Sequence, residues 1–282
     1  MSADQAINIL VTITLIQLMV AIGLGVTFVD IARVARNSGL VALAALANYV
    51  LVPAATVGLL WLFHSPPLVA AGFLVAAVCP GAPYGPPFTA MAKGNVPISI
   101  GLMVMLAGSS AIVAPLLLHV LLPVTSGEAL PSVDVSRMVG TLLLTQLIPL
   151  GIGLTIRHCR QQLADRLRKP ANRLSVALNV AVFGLIVGVD FHLLASIKAT
   201  ALEGMLLLVI AAVVAGWLLG GRGRDKRKAM AFSTGARNVS VSLVIVTASF
   251  PGTPAVTAVL AYALLQTALL ALLAAVWGRW AR

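Results

Sequence analysis

Apolar residues run along this chain in stretches near twenty residues long, separated by short polar or glycine- and proline-rich segments. A stretch of that length is what a helix needs to cross the hydrocarbon of a bilayer. Backbone in hydrocarbon must satisfy its own hydrogen bonds, which a helix does. The pattern predicts nine such spans, at about 7–29, 39–63, 68–92, 96–122, 137–157, 173–190, 201–220, 229–250 and 255–277. The ten-residue alternation of a membrane β-barrel is not seen. The expected fold class is therefore an all-α integral membrane protein.

Two of these spans are interrupted. From Pro80 to Pro87, six of eight residues break helices: Pro80, Gly81, Pro83, Gly85, Pro86 and Pro87. No continuous helix is expected through that density. In the eighth span, Ser233-Thr234-Gly235-Ala236-Arg237-Asn238 sets five polar or glycine residues into six positions of an apolar run. The two interrupted spans are five apart, and an odd offset reverses direction. Spans 1–4 and 6–9 are thus expected to be inverted repeats, with span 5 as connector. Interrupted helices at matching places of inverted halves point to a transporter site near the membrane midplane.

Composition agrees. The 282 residues are 60% hydrophobic and only 10% charged, against about 25% charged in a soluble domain. A soluble monomer and a disulfide scaffold are excluded. The net charge of +11 raises nucleic acid as a partner, but the positions of the charges argue against it. With the N-terminus outside, 16 of the 19 basic residues fall in inside segments. Only Arg137 and Lys198 lie outside, with the acids Asp4, Glu128, Asp134, Asp190 and Glu203, while Arg282 ends the chain inside. This is the positive-inside pattern, and the bases face anionic lipid rather than nucleic acid. The expected location is a bacterial inner membrane. The remaining base, Arg237, falls within a span, where a charge is costly and marks a cavity or a partner. No Asp or Glu lies at membrane depth to pair with it, and the four histidines have no metal spacing. No metal, cofactor or catalytic set is expected, so the chain does not read as an enzyme.

Several motifs are recognisable together. Cys79-Pro80-Gly81, then Phe88-Thr89-Ala90-Met91-Ala92-Lys93-Gly94-Asn95, Ser99 and Ala114-Pro115 resemble the first crossover of the bile acid:sodium symporter family. Gly235-Ala236-Arg237-Asn238 resembles the second crossover, and Asn48 to Pro53 resembles a polar-then-proline segment of the family core. The resemblance runs from about residue 20 to 270. It implies two crossing broken helices in one transporter unit, with a core of spans within 39–122 and 201–277. It implies a panel of spans 7–29, 137–157 and 173–190. It also implies an organic anion as substrate, often with sodium as the coupled ion.

The departures from the family pattern bear on mechanism. The family's Ser-Asn becomes Gly85-Pro86, its threonine one turn after Ser99 becomes Met103, its glutamate becomes Ser233, and its glutamine becomes Arg237. A carboxylate ligand is lost and a fixed cation arrives. Two unit charges 4 Å apart at an effective dielectric near 20 interact by about 4 kcal/mol, so sodium beside Arg237 is disfavoured. The expectation is a secondary transporter of an organic anion, working by alternating access, with sodium coupling lost or weakened and the coupling ion a proton or none. Arg237 then serves as anion clamp or cation surrogate, with Asn238, Tyr84, Gly85 and Pro86 as further substrate contacts. Asn48, Ser99, Ser233 and Thr234 are the candidate ion ligands. The alternatives are a sodium-coupled symporter with a rearranged site and a non-transporting membrane sensor or scaffold.

Overall fold

The computed structural model describes residues 3–126, 130, 134–189, 191–192 and 197–279. Glu128, Asp190 and Arg282 from the charge pattern lie outside the described residues. Among the described residues every regular element is helical. Helix α1 is Ala3–Gly25 and α2 is Phe28–Ala35. Thr27 and Asp30 close a capping box that starts α2, which satisfies two orphan amides at the chain's turn. Asp30 is thus a helix cap.

Helix α3 is Ser38–Leu62, α4 is Pro67–Val78, α5 is Gly85–Met91 and α6 is Val96–Ser126. Helix α7 is Val135–Cys159, α8 is Gln161–Val189 and α9 is Ala199–Leu219. Helices α10, Arg224–Gly235, and α11, Val239–Ser249, run one after the other, and α12 is Pro254–Arg279. Among the described residues, eight segments are long and apolar enough to cross a membrane: α1, α3, α6, α7, α8, α9, α10–α11 and α12. The third of the nine expected spans is not among them. It is divided between α4, of 12 residues, and α5, of seven.

Three local features differ from the expected pattern, each for a physical reason. Gly85, Pro86 and Pro87 do not break a helix; they begin α5. Proline in a first turn loses no bond, because that N–H has no partner inside the helix. The sixth span does not begin at 173, since α8 starts at Gln161 and passes through Pro170. The basic stretch expected as a loop is therefore helix, and Arg157 of α7 pairs with Asp165 across the turn. Finally, α3 and α7 each widen into a π-turn, at Ala47–Leu51 and Leu143–Leu147. Pro53 and Pro149 follow these turns and supply no N–H to the ladder, so the register slips by one residue. The amides of Val52 and Ile148 reach back five residues, to Ala47 and Leu143.

Apolar burial places the interrupted helices at the centre. The apolar window of α10–α11 is wholly buried, whereas that of α8 is 17% buried. Val176 and Val180 of α8 are exposed, as hydrocarbon-facing residues are. Helices α1 and α7 meet backbone to backbone: a Cβ on Gly23 would lie 2.4 Å from the Leu150 carbonyl, and one on Gly153 2.4 Å from that of Val20. Small residues of this kind let helices approach where no hydrophobic effect drives them together.

Candidate substrate and ion site

The two breaks in the helices lie against each other. The first break, residues 79–84, leaves the last carbonyls of α4 without helical partners. The second, residues 236–238, supplies donors to them. The Asn238 amide donates to the Cys79 carbonyl at 2.7 Å, and Asn238 Nδ2 donates to that of Gly81 at 3.3 Å. Asn238 Oδ1 also accepts from Val241 N at 3.3 Å and caps α11. Gly81 is needed here. Its φ is +85°, and a Cβ would lie 2.3 Å from Ala107 N of α6.

Arg237 is among the largest fully buried side chains of the described residues. Its Nη1 donates to the Ala77 carbonyl at 3.1 Å, and its Nη2 to Asn48 Oδ1 at 2.7 Å and to the Thr234 carbonyl. Ala77 lies in the last turn of α4 and Thr234 in the last turn of α10. Each helix C-terminus carries partial negative charge, so two of them and an amide oxygen enclose the cation. Arg237 Nε is buried with no hydrogen-bond partner among the described residues. Gln266 of α12 holds the backbone of Arg237: Arg237 N donates to Oε1 at 3.0 Å, and Nε2 donates to the Arg237 carbonyl at 3.2 Å. Asn48 Nδ2 donates to Ala44 O at 2.9 Å and to Thr234 Oγ1 at 3.3 Å.

A second polar group lies between α5, α6 and α10. Thr89 Oγ1 stands 2.9 Å from the Gly85 carbonyl and 3.0 Å from Ser99 Oγ, which is 3.3 Å from Ser233 Oγ. Thr89, Ser99 and Ser233 are all buried.

The expected residues therefore divide. Arg237, Asn48 and Thr234 form one group, Ser99 and Ser233 another, and Asn238 binds the two breaks together. Gly85 contributes its carbonyl to the hydroxyl group. Pro86 is buried in the first turn of α5, and Tyr84 is half-buried at its start. Neither makes a side-chain hydrogen bond to Arg237. Gln266 and Thr89 join these groups although neither stands among the expected site residues. Gln266 reads as ordinary interhelix glue from its position, and only the fold shows that its partner is the backbone of Arg237. Thr89 stands in the recognisable motif, and its i−4 bond to Gly85 gave no signal of a further partner.

Interrupted helices joined inside an apolar helical bundle, with polar groups held at their breaks, define a membrane-embedded carrier. The chain matches the Sodium Bile acid symporter family over residues 12–216, and it belongs to that family. It is 26% identical over 250 residues to an uncharacterized sodium-dependent transporter, YocS, of Bacillus subtilis, covering 85% of this chain and 74% of the relative. It is 24% identical over 256 residues to the hepatic sodium/bile acid cotransporter of Rattus norvegicus, covering 89% and 70%. It is 25% identical over 210 residues to a probable chloroplastic sodium/metabolite cotransporter, BASS2, of Oryza sativa subsp. japonica, covering 74% and 49%. The family consists of transporters, not enzymes, and the chain is an integral membrane protein of that kind.

Proposed function

We propose that this chain is a secondary transporter for a small organic anion that works without sodium, with Arg237 as a resident cation in place of a bound one. The observation that carries this is the cage around Arg237. Two half-helix C-termini and an amide oxygen are the groups that coordinate a sodium ion in transporters with broken helices. Here Ala77 O, Thr234 O and Asn48 Oδ1 accept from the guanidinium instead. Because both terminal nitrogens are engaged inward, the cation surrogate is favoured over the anion clamp. The charge still raises the potential at the crossing for an anion bound beside it.

The hydroxyl group supports the same reading. Sodium is a hard cation that takes oxygen ligands, and a carboxylate among them offsets its charge. At Thr89, Ser99 and Ser233 the oxygens are neutral and already bonded to one another. The relatives are named sodium-dependent or sodium cotransporters, so the departure belongs to this chain's residues. In this reading α4 and α5 together form the ninth crossing, and the chain consists of inverted repeats. Helices α1, α7 and α8 form the panel and the others the core. The N-terminus is outside and the basic ends are cytoplasmic, in a bacterial inner membrane.

Thermal stability of the purified protein in sodium chloride and in potassium chloride at equal ionic strength tests the proposal. A ligand at 100 times its dissociation constant stabilises by about 2.7 kcal/mol. Coincident melting curves are expected. A shift specific to sodium restores sodium symport, the second reading, which the relatives' names favour.

A further inference from the structure

A cavity of 380 Å³ lies between α1, α7 and α11, beside Arg137. That is near the lower end of the roughly 300–1,000 Å³ typical of small-molecule sites. Its floor is apolar, with Met138, Ile245 and Phe250, and its rim carries Asn8, Asp134 and Arg137. Helix α11 links it to the crossing. The helix starts at Val239, capped by Asn238 beside Arg237, and ends after 11 residues at Ser249 on the cavity wall. At 1.5 Å per residue that path is about 16 Å. Asn8 Nδ2 donates to Thr247 Oγ1 at 3.1 Å and joins α1 to α11 beside the cavity.

The two charges on the rim are not equivalent. Asp134 caps α7: its carboxylate accepts from Arg137 N at 3.0 Å and from Ser136 Oγ at 2.7 Å. The bond from the Arg137 amide and that from Ser136 hold its carboxyl below the usual range, and the helix N-terminus offsets its charge. The guanidinium of Arg137 has no hydrogen bond or ion pair among the described residues, where the ion pair is Arg157–Asp165. It is exposed beside an apolar floor. A planar guanidinium there is suited to a carboxylate or sulfonate group.

We propose that this cavity is the access vestibule for the transported anion, and that Arg137 receives its charged group while its apolar body rests on Met138, Ile245 and Phe250. The proposal rests on the anion-transport reading for its substrate, and it deepens that reading by naming a small amphipathic carboxylate or sulfonate. Arg137 is on this view a specificity residue, placed where the substrate is first bound and well away from Arg237.

The test uses Ser249→Cys in a Cys159→Ser background, since Cys79 is buried and Cys159 is exposed. Intact cells are labelled with two membrane-impermeant methanethiosulfonates, one bearing a sulfonate and one a trimethylammonium. With each rate referred to that of the same reagent with a free thiol in solution, the sulfonate reagent is expected to be favoured over the trimethylammonium one, and Arg137→Gln to lower this ratio by about fivefold. Naphthalene-2-sulfonate is expected to protect the thiol, and naphthylmethylammonium of similar shape is not. Arg137→Gln removes the protection, Arg137→Lys keeps part of it, and Asp134→Asn strengthens it. A ratio unchanged by Arg137→Gln, or equal protection by both naphthyl compounds, overturns the proposal. Loss of protection with Asp134→Asn also overturns it, because the ligand is then not simply an anion. None of these readouts involves sodium or Arg237, so their failure is distinct from a failure of the sodium-independent mechanism, which the salt comparison reports.

Discussion

The core holds two buried polar groups that differ in kind. At Arg237 there is a full charge, enclosed by the C-terminal carbonyls of two half-helices and by Asn48. At Thr89, Ser99 and Ser233 there are neutral hydroxyls that bond one another. Both lie where α10 meets the first broken helix or its neighbours. The first needs its cation to satisfy the acceptors around it, because each buried acceptor left unpaired costs about 1–3 kcal/mol. The second is satisfied without any ion. On the proposed reading, the contrast is between an oxygen cage filled permanently by a side chain and a polar group that needs no ion at all.

The largest effect is expected from removing that cation. Arg237→Leu leaves Ala77 O, Thr234 O and Asn48 Oδ1 without their donor, and stability is expected to fall by about 4 kcal/mol, from three buried acceptors at 1–3 kcal/mol each. The melting temperature of the purified variant measures this. A loss under one quarter of that size would mean that water or lipid replaces the guanidinium freely, and the cage would lose its meaning. Gln266→Leu comes next. It strips one donor and one acceptor from the buried backbone of Arg237, for a loss of about 2 kcal/mol. It is expected to weaken transport as well, because Arg237 is no longer held in place.

Smallest is Ser99→Ala. A side-chain hydrogen bond between membrane helices averages about 0.6 kcal/mol, and the neutral group has no charge to strand. If Ser99→Ala costs as much as Arg237→Leu, or if its cost depends on sodium, the two groups are not different in kind. The hydroxyls would then hold an ion.

Much of the architecture could be read from residue order. The eight long apolar helices follow from the length of the apolar runs, and the first break follows from Pro80, Gly81 and Pro83. Where reading failed, the same residue types had a second role. Pro86 and Pro87 have the composition of a breaker but the position of a helix start, and composition alone does not separate the two. The basic residues from Arg166 to Arg173 looked like a loop because charge was taken as an end of helix, yet α8 carries them on its first turns. The π-turns depend on where Pro53 and Pro149 interrupt an otherwise continuous ladder.

The candidate site was legible in its unusual residue. An arginine inside an apolar span, with no acid to pair with it, can be singled out from sequence. Its partners could not be, because Ala77 O and Thr234 O are backbone atoms whose availability depends on where each half-helix ends. Arg137 stands out in the sequence only as one of the two basic residues that the charge pattern leaves outside, and the cavity beside it is a product of packing between α1, α7 and α11.

The most direct test of the resident cation is equilibrium binding of radioactive sodium to the purified protein, alongside a double variant, Ser233→Glu with Arg237→Gln, that restores the family's residues at both groups. The account predicts no saturable binding to the natural chain and saturable binding gained by the double variant. Saturable, stoichiometric sodium binding to the natural chain would contradict it.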